Sequence, residues 1–267
     1  MTPRETLEQQ ARAAARAVYL GDDTLLATVL GGRLKMFLAA SDIGIMPHLA
    51  LDGFWESWVT IAVLRMVRPG MRVVNVGANV GYYALLFADL ATSTGSVLAV
   101  EPNPELCALL EKSRHANGFW HMQICRAAAA DAVSEGALVV PEGHAGNAHL
   151  GDIAGPDGRL VTTLVTTVDH LAANAWGLSP DIVFIDAEGA EERIWQGMKE
   201  TRRRRDVTIV IEYETKRYAD PDAFVRGFED DGFTLGQIGI EGEILPVARE
   251  QILADGPILM LVLRRPR

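Results

Sequence analysis

The sequence predicts an α/β fold, a Rossmann-like doubly wound sheet that is mostly parallel, and three observations carry that expectation. From position 73 onward, short apolar runs alternate with stretches at helical spacing, the pattern of a sheet with helices on both faces. The runs Val73–Val76, Val97–Val100, Met122–Arg126, Ile182–Ile185 and Val207–Glu212 are strongly apolar, as suits strands buried on both sides. The first of them ends in a glycine turn, Gly77-Ala78-Asn79-Val80-Gly81. Open parallel sheets bind their ligands beyond such strand ends.

The elements follow in order. Residues Thr2 to Tyr19 read as a helix, with Thr2 as its cap, Pro3 in its first turn and Leu7, Ala11, Ala14, Ala15 and Val18 on one weakly apolar face. Thr24–Leu30 and Arg33–Ala40 flank Gly31-Gly32, a hairpin signal. Asp42 opens a short segment to Gly53, and Trp55 to Met66 is helical. The first strand, Val73–Val76, is followed by a helix from about Tyr82 to Leu90. The second strand is followed by a helix over Leu106–Asn117, and the third by strand-like runs at Ala137–Val140 and Leu160–Thr167. These two runs surround Gly143–Gly158, the most glycine-rich segment, read as a mobile loop near the site. Val168–Ala175, Glu191–Arg202 and Asp222–Asp231 are helical, and Thr234–Ile240, Glu243–Val247 and Ile258–Leu263 read as closing antiparallel strands. This divides the chain into an N-terminal helix and hairpin extension over 1–52 and a core over 53–267.

Composition narrows the partners. The 267 residues carry a formal net charge of −10, which repels polyanions and makes nucleic acid a poor partner. The basic run Arg202–Arg205 suits a solvated helix end. No apolar run reaches the roughly 18–20 residues of a membrane span, and the charged N-terminus lacks a signal core; no membrane insertion and a cytoplasmic location are expected. Cys107 and Cys125 read as buried free thiols, and no Cys/His spacing suggests zinc. The N-terminal extension is a candidate homodimer contact.

A dinucleotide fold places G-x-G-x-x-G at the first turn. Here Asn79 and Tyr82 occupy the second and third glycine positions, so close approach to a pyrophosphate is not provided for and an oxidoreductase reading is disfavoured. Glu101 closes the second strand, and a carboxylate there accepts both hydroxyls of an adenosine ribose. Glycine turn and strand-end acid together indicate an adenosine-type ligand.

These residues resemble a known family. Val73-Val74-Asn75-Val76-Gly77-Ala78-Asn79-Val80-Gly81-Tyr82-Tyr83 is similar to the first motif of FkbM-type methyltransferases, and Val100-Glu101-Pro102-Asn103-Pro104 to their second. Asp186-Ala187-Glu188-Gly189-Ala190-Glu191 resembles their D-x-E-G-x-E run, Ile211-Glu212 the acidic end of the following strand, and Gly53-Phe54-Trp55-Glu56 the approach to the core. The resemblance implies a seven-stranded sheet with an antiparallel last strand, and S-adenosylmethionine as methyl donor. It implies O-methylation of a small-molecule hydroxyl acceptor: a sugar, a glycolipid or an antibiotic-like natural product. N- or C-methylation of a small natural product, or a catalytically silent adenosyl-ligand binding protein, are the alternatives. Carried over, Gly77, Ala78, Asn79 and Gly81 surround the methionine part, Glu101 and Pro102 the ribose and Asn103 the adenosine. Ala128 and Asp131, within the stretch Ala127–Asp131, fall near the adenine, and Glu56 reaches the methionine end. Asn75 stands where the family usually has Asp, which keeps hydrogen bonding but removes a negative charge.

Asp186 and Glu212 end adjacent strands and are expected to face the cleft. Glu188 and Glu191 begin a helix, where acidic residues also complement the dipole. Asp186 is the first candidate base for the acceptor proton and Glu188 the second. Glu212 and His144 complete the catalytic set; His144 and His149, in the glycine-rich loop, add imidazoles suited to proton transfer near neutral pH. A divalent cation such as Mg²⁺ held by Asp186, Glu188 and Glu212 is an alternative, but nothing in the spacing demands a metal. The aromatic set Phe54, Trp55, Trp58, Tyr82 and Tyr83 reads chiefly as core packing, with an acceptor pocket as the other use.

Overall fold

A computed structural model describes residues 3–151, 153, 158–176, 180–254 and 256–266. It lays the five apolar runs side by side. In chain order, α1 (Arg4–Ala14) leads to β1 (Arg16–Gly21), β2 (Thr24–Val29) and β3 (Leu34–Ala39), then α2 (Met46–Leu51) and α3 (Ser57–Met66). The alternating core begins with β4 (Arg72–Val76), α4 (Tyr82–Ala91), β5 (Ser96–Val100), α5 (Pro104–Asn117) and β6 (Met122–Cys125). Four strands follow: β7 (Ala128–Ala129), β8 (Ser134–Pro141), β9 (His149–Leu150) and β10 (Gly158–Thr166). The core resumes with α6 (Val168–Trp176), β11 (Ile182–Ile185), α7 (Glu191–Gln196), α8 (Lys199–Arg203), β12 (Thr208–Tyr213) and α9 (Pro221–Asp230). The last elements are β13 (Thr234–Ile238), β14 (Ile244–Pro246), α10 (Arg249–Leu253) and β15 (Leu259–Arg264).

The central sheet has eight strands in the order β14-β13-β15-β12-β11-β4-β5-β6. The run from β12 to β6 is parallel, and β15 pairs antiparallel with both β12 and β13. The expected seven strands are extended at the edge by short β14. Val73, Val74, Val97, Ala99, Val183 and Ile185 are fully buried, as strands covered on both faces must be. The order reverses at β4. Its neighbour β5 follows directly in sequence, whereas β11 on its other side arrives about a hundred residues later. The crevice at this reversal is the predicted ligand site.

The N-terminal extension differs from its prediction. The helix stops at Ala14, and Arg16–Gly21 is a strand of a three-stranded antiparallel sheet, β1-β2-β3. Val18 and Tyr19 are good strand formers. Gly21, Asp22 and Asp23, all at positive φ, turn the chain back onto β2. Thr2, the expected cap, lies outside the described residues. The hairpin around Gly31-Gly32 pairs as expected, Leu25 with Leu38 and Ala27 with Met36. Ala27, Val29, Leu34, Met36 and Leu38 join one apolar core with Val73, Leu85 and Leu110, so the hairpin is packed onto the rest.

Two further differences have local causes. The helix expected over Glu191–Arg202 is broken between α7 and α8 at Gly197, where an added β-carbon would lie 1.9 Å from the Ala130 carbonyl oxygen. The stretch Gly143–Gly158, expected as a loop, includes a 3₁₀ turn at Ala145–Asn147 and β9, which pairs with β8; positions 152 and 154–157 of it lie outside the described residues.

Candidate active site

The glycine turn is built for close approach. Gly77 has φ 75°, and a β-carbon on it would fall 1.6 Å from the Asp186 carbonyl oxygen. Asp186 N–H donates to Val76 O at 3.1 Å, so the ends of β4 and β11 are locked together. Gly81 has φ 95°, and a β-carbon on it would fall 2.0 Å from Leu110 Cδ1. Between them Asn79 adopts φ 52°, its N–H donating to Glu101 Oε2 at 2.8 Å and its Oδ1 accepting from Val80 N–H at 2.7 Å.

Two connected cavities open on this turn. The larger is a cleft of about 830 Å³ including its open mouth, walled by Val76–Asn79, Val100–Pro102, Ala127–Ala129, Leu138, Leu150 and Asp186–Glu188, among others. The smaller, about 560 Å³, is lined by Asp42, Glu56, His144, Asn147, Asp186, Glu188 and Glu212 together with Ile45, Trp55 and Asn79. Asp186, Glu188, Asn79, Trp55 and Ile45 border both. The first has an apolar slot at one end and the second an acidic wall.

Glu101 is 5% exposed, with Oε1 accepting from Asn103 N–H at 2.9 Å. Burial pushes its carboxyl up to about 7 against these backbone donors. Asp186 is held well above the usual carboxylate range, first by burial and then by the charges of Glu212, Glu56, Glu188 and Glu191. Glu212 is pushed up to about 7, by burial more than Arg217 can offset. Glu188 and Glu56 are raised for the same first reason. Glu56 accepts from the Tyr83 hydroxyl at 2.9 Å, and Thr60 Oγ1 and Tyr82 Oη lie 3.0 Å apart. Glu56, Asn79 and Glu188 are all in the left-handed region, at φ 38°, 52° and 51°. Non-glycine strain of this kind costs of order 1–3 kcal/mol per residue and gathers at functional sites.

The structure gathers most of the sequence-selected residues. Gly77, Ala78, Asn79, Glu101, Pro102, Ala128 and Asp186 line the cleft, and Glu56, Glu188, Glu212 and His144 line the smaller cavity. His149 also borders the cleft. Asn75 lies one residue before the lining, 1% exposed, and its Oδ1 is buried without a partner among the described residues. Asn103 is instead fully buried as the cap of α5, accepting from Glu105 N–H at 3.0 Å. Asp131 points to the surface, paired with Arg193 at 2.7 Å. Glu191 is wholly buried and structural. It accepts from Ala187 and Gly189 N–H at 3.0 and 3.2 Å and from the Tyr218 hydroxyl at 3.0 Å, fixing the turn that carries Asp186 and Glu188. Sequence reasoning missed Arg217, which bonds Glu212 and Glu188 at 2.5 and 3.0 Å. Among the described residues no helix is long and apolar enough to cross a membrane.

A bound S-adenosyl group fits these residues. A carboxylate sits at a strand end, Val76, Val100, Ala127–Ala129 and Leu138 line the cleft with apolar surface, and Glu56, Glu188 and Glu212 give the adjoining cavity a carboxylate lining suited to positive charge. Comparison with known proteins agrees. The methyltransferase FkbM domain model matches residues 75–234, and the chain belongs to that family, whose members are S-adenosylmethionine-dependent methyltransferases. No curated protein matches the chain significantly. Its fold is similar to methyltransferase FkbM from Methylobacillus flagellatus, at 12% identity and TM-score 0.49 over 81% of this chain. The chain spans about half of that protein, 52% of its length. It is also similar to a precorrin-6y C5,15-methyltransferase from Geobacter metallireducens, at 15% identity and TM-score 0.42, covering 78% of this chain and 86% of that one. A third similar structure is TYW2 from Pyrococcus horikoshii in complex with MeSAdo, at 13% identity and TM-score 0.47, covering 92% and 71%.

Proposed function

We propose that the protein methylates a hydroxyl oxygen of a sugar, glycolipid or other natural product, with Asp186 as the general base. The observation that carries this reading is that Asp186 borders both cavities, at the seam between the apolar slot and the acidic wall. Bound S-adenosylmethionine supplies a methyl group on a sulfonium, which departs as a neutral thioether. Glu101 accepts from the ribose hydroxyls with the lone pairs its backbone donors leave over. Val100, Ala127–Ala129 and Leu138 keep water from the adenine. Glu56 and the Asn75 oxygen face the methionine ammonium.

The acceptor oxygen forms the new C–O bond while its proton passes to an Asp186 carboxylate oxygen. The products are a methyl ether and a protonated Asp186, which returns its proton to solvent. Raised proton affinity makes Asp186 a stronger base once ionised, and a cationic donor beside it favours the ionised form. Alignment supplies most of the rest, since orientation alone is worth roughly 7–11 kcal/mol in favourable cases. Glu188 and Glu212 already face the Arg217 guanidinium, which favours a metal-free site over one with a divalent cation.

Incubation with S-adenosylmethionine carrying a ¹³C methyl group, against a panel of sugars, glycolipids and hydroxylated natural products, tests the reaction by carbon NMR. Label in a methoxy position supports it; label only on nitrogen or carbon overturns it. With an acceptor in hand, Asp186→Asn is expected to lower kcat by roughly 10²–10⁴-fold, far more than the loss of cofactor affinity that calorimetry finds. Equal losses in both would assign Asp186 to binding.

A further inference from the structure

The carboxyl ends of β11 and β12 lie side by side, with Ile185 in register with Ile211, so Asp186 and Glu212 are neighbours by construction. Glu188 enters the same space from the left-handed turn that follows. Arg217 ion-pairs with this acidic wall. Its Nη1 bonds Glu212 Oε2 at 2.5 Å, its Nη2 bonds Glu188 Oε2 at 3.0 Å and its Nε bonds Glu214 Oε2 at 2.8 Å. The guanidinium is committed along its whole edge, in the planar multidentate way that a lysine ammonium cannot copy. Its mount is rigid as well. Thr215 Oγ1 donates to Ile252 O at 3.1 Å, and the next residue, Tyr218, donates to buried Glu191. Arg217 does not line the smaller cavity; Glu188 and Glu212 do.

We propose that Arg217 is a positioning residue for methyl transfer: it pins Glu188 and Glu212 to the wall of the smaller cavity and leaves Asp186 as the carboxylate turned toward the acceptor. The inference rests on the reading of Asp186 as base. Arg217 acts on Asp186 through the two glutamates. The groups around Asp186 are Glu212, Glu56, Glu188, Glu191 and the Tyr83 phenol, and Asp42 and His144 line the same cavity. Against those carboxylates Arg217 supplies the compensating positive charge, and without it the cluster holds its protons to higher pH.

The test is the pH dependence of S-adenosylmethionine binding to the full chain, measured by calorimetry between pH 5.5 and 9. The ligand's own titration is common to all variants. In the wild type, affinity is expected to rise with pH as the cluster ionises. Arg217→Gln is expected to move that rise about one unit toward alkaline pH, a roughly tenfold loss at a fixed pH on the limb, with affinity recovering above it. Arg217→Lys, which keeps a charge but spans fewer carboxylates, is expected to move it about half as far, and serves should the glutamine variant not fold. Asp186→Asn is expected to flatten most of the rise. Uniformly weaker binding in both Arg217 variants, with the limb unmoved while Asp186→Asn removes it, overturns the role of Arg217 alone. A limb that Asp186→Asn leaves in full overturns the coupling of Arg217 to Asp186, while the kcat of Asp186→Asn separately decides whether Asp186 is the base.

Discussion

Gly77 and Asp186 are packed back to back where β4 and β11 end, so closely that no side chain fits between the Gly77 Cα and the Asp186 carbonyl. The glycine turn and the proposed base are therefore one rigid unit. Movement of either strand end displaces both.

Gly77→Ala is expected to break that unit. The substitution places a β-carbon at positive φ, which costs about 1 kcal/mol or more, and drives it into backbone that cannot rotate away. A loss of about 3–5 kcal/mol in urea unfolding follows, at the upper end of single substitutions, with cofactor binding lost in parallel. A loss under about 1 kcal/mol, on the scale of an ordinary surface change, would show that the two strand ends are free to part.

Glu101 links stability to pH. Its folded carboxyl is pushed up to about 7 by burial, against a usual value of 4.5. Between those values the folded state binds more protons than the unfolded state, so its contribution is fully present below about pH 4.5 and is lost as pH rises through about 7. Glu101→Gln removes this titration, although it strands one backbone N–H of Asn79 or Asn103. In the cofactor-free protein, the stability advantage of wild type over Glu101→Gln is expected to shrink between pH 5 and pH 8 by an amount on the order of 3 kcal/mol. Paired urea titrations at the two pH values measure it, and a difference that stays constant refutes the buried-carboxyl account.

Much of this was legible in the sequence, for identifiable reasons. Val73–Gly81 announces strand, turn and helix through local pattern alone, and Glu101 and Asp186 are marked by their place at strand ends. Arg217 is not so marked. It sits in the charged turn Thr215-Lys216-Arg217, which looks like any solvated loop, and its role arises only when carboxylates from positions 188, 212 and 214 converge on it. Glu191 was ambiguous for the opposite reason. A glutamate at a helix start satisfies the dipole anywhere, and only the Tyr218 hydroxyl and two backbone N–H groups make it structural here. The end of α1 was hidden because the alanine- and arginine-rich stretch 11–17 favours helix, while pairing with β2 claims Arg16 onward for strand. At Gly197 a tertiary contact, the Ala130 carbonyl, overrides a helical pattern.

Asn75 offers the most direct probe of how the site grips its cofactor. Its side-chain oxygen is buried beside Val76 and unpartnered among the described residues, whereas the family resemblance places a carboxylate there. Asn75→Asp puts an acid at a position 1% exposed, where desolvation disfavours the charge until a cation arrives. Two opposite effects are therefore expected from one substitution. The free protein loses stability, by about 1–3 kcal/mol at pH 8. Affinity for S-adenosylmethionine rises by roughly tenfold, one added charge-assisted hydrogen bond to the ammonium being worth about 1.5 kcal/mol or more. S-adenosylhomocysteine carries the same ammonium and no sulfonium, so its affinity is expected to rise by a similar factor. Calorimetry with both ligands, beside thermal unfolding of the free variant, separates the outcomes. A gain confined to S-adenosylmethionine would place Asn75 at the sulfonium instead of the ammonium, and no gain for either ligand would remove it from the cofactor site.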